Sequence, residues 1–108
     1  MQRFVVALLC AGFAQSHVSE ARSAGKPVVQ TIVIQGVKYE PDSLTVKRGS
    51  IVRWINKDPF PHTVTAQGFF DSHSIAAGGS WKYVAKKKGE ITYACTLHPN
   101  MQARVLIQ

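Results

Sequence analysis

Four side chains carry the chemistry legible in this chain. Cys95, His98 and Met101 recur at three-residue intervals in Tyr93-Ala94-Cys95-Thr96-Leu97-His98-Pro99-Asn100-Met101, and His62 lies upstream in Asp58-Pro59-Phe60-Pro61-His62-Thr63. One soft thiolate, two imidazoles and a weak thioether are the donors of a redox-active copper ion held by His2Cys with a long axial Met. Cu(II) on one thiolate and two neutral imidazoles keeps a single positive charge and Cu(I) keeps none, so neither state buries a large charge. Thr96, Leu97, Pro99 and Asn100 are too few to let the three loop donors wander. Pro59 and Pro61 stiffen the approach to His62 and fix where its ring points.

Cysteine usage points the same way. Met1-Gln2-Arg3 is a short basic start, Phe4 to Ala14 is apolar, and Gln15 onward is polar, the pattern of a secretory signal peptide. The apolar run is too short to span a bilayer. We therefore read residues 1–23 as a leader, with cleavage after Ala14 or Ser23 both compatible with the small residues there, and residues 24–108 as one domain. Leu9 before Cys10 argues against a lipid anchor, and Cys10 leaves with the leader. Cys95 then stands alone in a chain bound for an oxidising compartment, where structural cysteines come in pairs. A lone buried cysteine is a common core residue, but the fixed offsets to His98 and Met101 favour metal ligation.

The elements that position these residues read as strands. Val28 to Gln35 is rich in Val, Ile and Thr and ends at Gly36; Tyr39 to Ser43 is turn chemistry before Leu44 to Lys47. Ile51 to Asn56 alternates, with Val52 and Trp54 inward. His62 to Ala66, Ser80 to Ala85, Glu90 to Cys95 and Met101 to Gln108 complete the set. Ile91, Tyr93 and Cys95 share a face, so the thiol emerges from the core side of its strand. Gln67 to Gly79 has no sustained period and reads as loop. Short strands, regular turns and no helical period indicate an all-β sandwich. A chain of 108 residues allows one compact core. Its net charge is +7, and the leader removes only Arg3, Arg22 and Glu20, so the remaining +6 favours acidic partners.

Taken together, Cys95-x-x-His98-x-x-Met101, His62 behind Trp54-x-Asn56, Tyr39-x-Pro41, Val46-Lys47-Arg48-Gly49 and Val52-Arg53-Trp54-Ile55-Asn56 resemble the small blue copper proteins. This is the cupredoxin family, and the likeness, from Val28 to Gln108, is strongest to its amicyanin and plastocyanin branches. The resemblance implies a Greek-key β-sandwich of seven to eight strands and one copper ion, Cu(I)/Cu(II), held by His62, Cys95, His98 and Met101. It also implies a periplasmic or secreted one-electron carrier between redox proteins, such as a dehydrogenase and a c-type cytochrome. His98 would present its ring edge to solvent within an apolar rim of Phe60, Pro61, Leu97, Pro99 and Met101, and lysines would steer an acidic docking face toward it. One departure stands out: Thr63 follows the first histidine where better-known members carry an Asn that hydrogen-bonds backbone near the thiolate, and its hydroxyl can take over that bonding. Asn56 reads as structural.

Other residues have plainer readings. His73 is a surface-loop histidine with no partner at metal spacing, Lys86-Lys87-Lys88 is a charged hairpin turn, and Trp54, Trp81, Tyr83 and Tyr93 are core. A copper-binding or copper-delivery protein of the same fold is the alternative function, since identical ligands serve both. A nucleic-acid-binding barrel leaves Cys95, His98 and Met101 unexplained. An enzyme is not expected, because copper catalysis needs an open position or further ions and the chain has no His-x-His pair. Nucleic acid and a membrane span are likewise not expected, and a monomer is the default.

Overall fold

The computed structural model describes residues 25–108, with residue 12 alone upstream, so the leader reading falls outside the described residues. Nine strands follow in order: β1 Val29–Ile34, β2 Tyr39–Glu40, β3 Ser43–Val46, β4 Ile51–Asn56, β5 Thr65–Ala66, β6 Phe70–Asp71, β7 Ser80–Val84, β8 Gly89–Cys95 and β9 His98–Ile107. They form a four-stranded sheet ordered β2-β1-β4-β7 and a five-stranded sheet ordered β3-β9-β8-β5-β6. Both are mixed: β1 pairs parallel with β4, β3 pairs parallel with β9, and the other pairings are antiparallel.

Period-two alternation decides which residues meet between the sheets. Val52 and Trp54 of β4 are fully buried, as are Ile32 and Ile34 of β1, and they face Ile91, Tyr93 and Cys95 of β8 and Met101, Ala103, Val105 and Ile107 of β9 in one core cluster. The Trp54 indole donates to the Tyr93 hydroxyl at 3.2 Å, satisfying the two buried polar tips by bonding the sheets to each other. Tyr39 packs edge-on against Tyr93 with ring centroids 4.7 Å apart.

Three details depart from the sequence reading. Among the described residues the strand count is nine, because Tyr39–Glu40 in the expected turn forms β2 and Gln67 to Gly79 contains β6, whose Phe70 reaches Trp54, Trp81, Tyr83 and Tyr93. A two-residue strand is too short to carry a detectable period. His62 to Ala66 is strand only over Thr65–Ala66; His62 instead forms an isolated bridge with Ile75. Trp81 and Tyr83 share a face but are only half-buried, since β7 is the edge of its sheet.

The end of the β8–β9 hairpin has a direct consequence for the donors. Cys95 closes β8, His98 opens β9, and only Thr96 and Leu97 lie between. A register shift at Ala94/Cys95 leaves Cys95 paired directly with His98. Residues opposite one another in an antiparallel pair project to the same side, which brings thiol and imidazole together.

Candidate metal centre

His62, Cys95 and His98 offer ligand atoms that all lie within 4.8 Å of one another. Cys95 Sγ is 3.7 Å from His62 Nδ1 and 3.8 Å from His98 Nδ1. Metal–thiolate bonds of about 2.3 Å and metal–imidazole bonds of about 2.0–2.1 Å, separated by angles between tetrahedral and trigonal, require S···N edges of roughly 3.6–3.8 Å. The two observed edges match that requirement, so these residues fit a single ion. Met101 is buried beside them, and with His98, Leu97, Pro99, Asn100 and Val37 it lines one surface depression.

Each donor is held by a separate device. Cys95 is fully buried and unpaired by disulfide, and its sulfur accepts the Thr63 N–H at 3.3 Å. Thr63 also binds the loop across from it: its Oγ1 accepts the Thr96 N–H at 2.9 Å and contacts the hydroxyls of Thr65 and Thr96 at 2.9 and 3.2 Å. The hydroxyl thus bonds backbone next to the thiol, as the sequence reading expected of a residue standing in for Asn.

His62 is fully buried, and its Nε2 lies 2.7 Å from Asp58 Oδ2. Asp58 is itself 7% exposed and accepts the backbone N–H groups of Gly36 at 2.7 Å and Val37 at 2.9 Å. Burial alone would raise this carboxyl, but the bonds from Val37, Gly36 and His62 outweigh it and hold Asp58 below the usual carboxylate range. An ionised carboxylate only accepts, so His62 Nε2 is the protonated nitrogen and Nδ1 turns its lone pair toward the sulfur. A carboxylate behind a metal-binding histidine is a recurrent way to fix ring and tautomer.

Asn56, also fully buried, positions the segment that carries both residues. Its Nδ2 donates to the carbonyls of Phe60, Ile75 and Ala76 at 2.9, 3.0 and 3.3 Å, and its Oδ1 accepts the Asp58 N–H at 3.0 Å. Tyr39 completes the support by donating its hydroxyl to the Thr63 carbonyl. The sequence reading missed the part played by Asp58 and Tyr39 and gave Asn56 a structural role without a target. An Asp four residues before the candidate histidine was the available signal for Asp58.

His98 is half-buried and the outermost donor. Its ring is 5.0 Å from that of His62 and 5.9 Å from that of Phe60, measured between centroids. Phe60 and Leu97 beside it are 39% and 53% exposed, so an apolar rim surrounds the accessible edge. His73, by contrast, is an exposed loop residue against Asp71 and lies outside this cluster.

Comparison with known proteins agrees with this geometry. The model of a cupredoxin-like domain matches residues 3–107. Amicyanin from Paracoccus versutus is 26% identical over 83% of this chain and 75% of its own length. Plastocyanin from Synechococcus sp. (strain JA-2-3B'a(2-13)) is 28% identical over 91% of this chain and 83% of its own. A solved structure of the Cu(I) form of an amicyanin variant superposes with a TM-score of 0.71 at 26% identity, covering 82% of this chain and 89% of that one. With two facing sheets, a thiol and two imidazoles converging at one end, and a family match over nearly its whole length, the chain belongs to the cupredoxin-like domain family.

Proposed function

We propose that this protein is a one-electron carrier built on a single copper ion, with His62, Cys95 and His98 as the close ligands and Met101 as the weak axial one. The observation that carries the reading is the pair of sulfur–nitrogen edges, 3.7 and 3.8 Å, which match what one ion bound to all three donors requires. When bound, copper supplies a Cu(II)/Cu(I) couple. The chain keeps the donors where they are: Thr63 N–H restrains the sulfur, Asp58 restrains His62, and the two-residue turn restrains His98. Restrained donors move little between oxidation states, which keeps the reorganisation cost of electron transfer low.

Electrons would enter and leave at the edge of His98, through the rim of Phe60 and Leu97. Redox proteins such as a dehydrogenase and a c-type cytochrome, acidic where they dock, are the partners that a chain of net charge +7, or +6 without its leader, would attract. We place the mature protein in the periplasm or outside the cell on the strength of its N-terminal basic and apolar segments, with residues 24–108 as the copper domain. Among the described residues, no helix is long and apolar enough to cross a membrane. Cyclic voltammetry of the copper-loaded protein tests the carrier role: a fast reversible one-electron wave is expected. Loosely held Cu(I) without such a wave would overturn it in favour of copper delivery.

A further inference from the structure

Asp58, which holds the ring of His62, is bonded on its other side as well. It is a buried acid, 7% exposed, and its two oxygens collect three donors from two separate parts of the chain. One is the ring of His62. The others are the N–H groups of Gly36 and Val37, in the turn between β1 and β2, both in the left-handed region at φ 64° and 58°. Glycine adopts that conformation freely, but a β-branched valine does so only under outside constraint. The constraint visible here is the Asp58 carboxylate, which bonds the two successive N–H groups. Val37 then lies against the depression lined by His98 and Met101.

We infer that Asp58 is a positioning residue of the metal centre: it fixes the tautomer and ring orientation of His62, and its fixed negative charge, one imidazole away from the ion, favours Cu(II) over Cu(I). The inference rests on the proposed copper site. Removing the charge while keeping the shape, as Asp58→Asn does, leaves the higher-charged oxidation state less stabilised. The reduction potential rises, and the ratio of Cu(I) to Cu(II) at a fixed ambient potential increases about tenfold, equivalent to about 59 mV for a one-electron couple. Cu(II) affinity falls in the same direction, within the ten- to hundredfold range typical of losing the partner behind a metal-binding histidine.

Glu90→Gln provides the contrast, because it removes the same unit of charge at an exposed acid paired with Arg104, five residues along β8 from Cys95. Its potential is expected to stay within a twofold change in the same ratio. Spectroelectrochemical titration of wild type, Asp58→Asn and Glu90→Gln reads all three. A colourless wild type would remove the copper site itself; a coloured wild type with Asp58→Asn at the unchanged potential, or with Glu90→Gln shifted as far as Asp58→Asn, would overturn the role given to Asp58 alone. Nitrogen-15 NMR of His62 in the wild-type apo protein gives a second reading that needs neither variant folding nor copper. A protonated, exchange-protected Nε2 is expected, and a protonated Nδ1 with bare Nε2 would overturn the proposal.

Discussion

Replacing Asn56 by alanine removes the anchor of the segment that presents Asp58 and His62. The side chain is fully buried and makes two strong donor bonds, at 2.9 and 3.0 Å, a longer one at 3.3 Å, and one acceptor bond at 3.0 Å. A typical bond of this kind contributes about 0.5–1.5 kcal/mol net, and buried groups left without partners cost about 1–3 kcal/mol each. Water can reach the Phe60 end, where the neighbouring side chain is exposed, so one of the three main bonds is replaced in part. The expected loss is therefore about 3 kcal/mol, which for a domain of this size lowers Tm by about 12–24 °C. Asn56→Asp should do worse than Asn56→Ala, because it aims a carboxylate oxygen at three carbonyl oxygens. Urea and thermal unfolding of the apo protein, followed by Trp54 and Trp81 fluorescence, measure both variants. A loss below about 1 kcal/mol for Asn56→Ala, or an Asn56→Asp variant as stable as wild type, would refute the idea that this one amide holds the segment.

Two further predictions concern the rim and the core. Leu97→Lys, at a 53% exposed site, should leave stability within about 0.5 kcal/mol but slow electron exchange with the physiological partner about tenfold, as stopped-flow absorbance would show; an unchanged rate with every partner tried would remove the docking role. The phenols of Tyr39 and Tyr93 are pushed up above the usual tyrosine range, chiefly by burial and, for Tyr39, further by the charge of Cys95. The folded state therefore holds protons that the unfolded chain gives up near about pH 10, so this contribution to stability is complete below that pH and is lost as pH rises above it. A Tyr39→Phe/Tyr93→Phe double variant should show a shallower alkaline decline in urea midpoint, and phenolate absorbance from these two rings near pH 10 with unchanged circular dichroism would contradict the sign.

The legibility of this protein in its sequence follows the range of the interactions involved. Val52 and Trp54, Ile91, Tyr93 and Cys95, and Ala103, Val105 and Ile107 declare their common face by alternation, and each is buried as the pattern implies. Cys95 and His98 are close in sequence, so their meeting was readable from spacing; the register shift that pairs them was not, because a bulge depends on the facing strand. His62 joined them only through the choice of residue types. Asp58 beside Pro59 carries no legible role in the sequence, since the partners that define it, Gly36 and Val37, lie 22 and 21 residues away. Strand β6 is two residues long and shows itself only through what Phe70 covers. Asn56 had a visible place at the end of β4 but no visible partners, for its amide reaches across to a loop that no periodic pattern describes.

The most direct test is an optical titration of the purified protein with Cu(II), alongside Cys95→Ser. One intense visible thiolate-to-copper band, saturating at one ion per chain and absent from a Cys95→Ser protein that still folds, is the predicted result. A wild-type sample that stays colourless, or a band that survives the loss of the sulfur, would contradict the copper centre assigned to His62, Cys95, His98 and Met101.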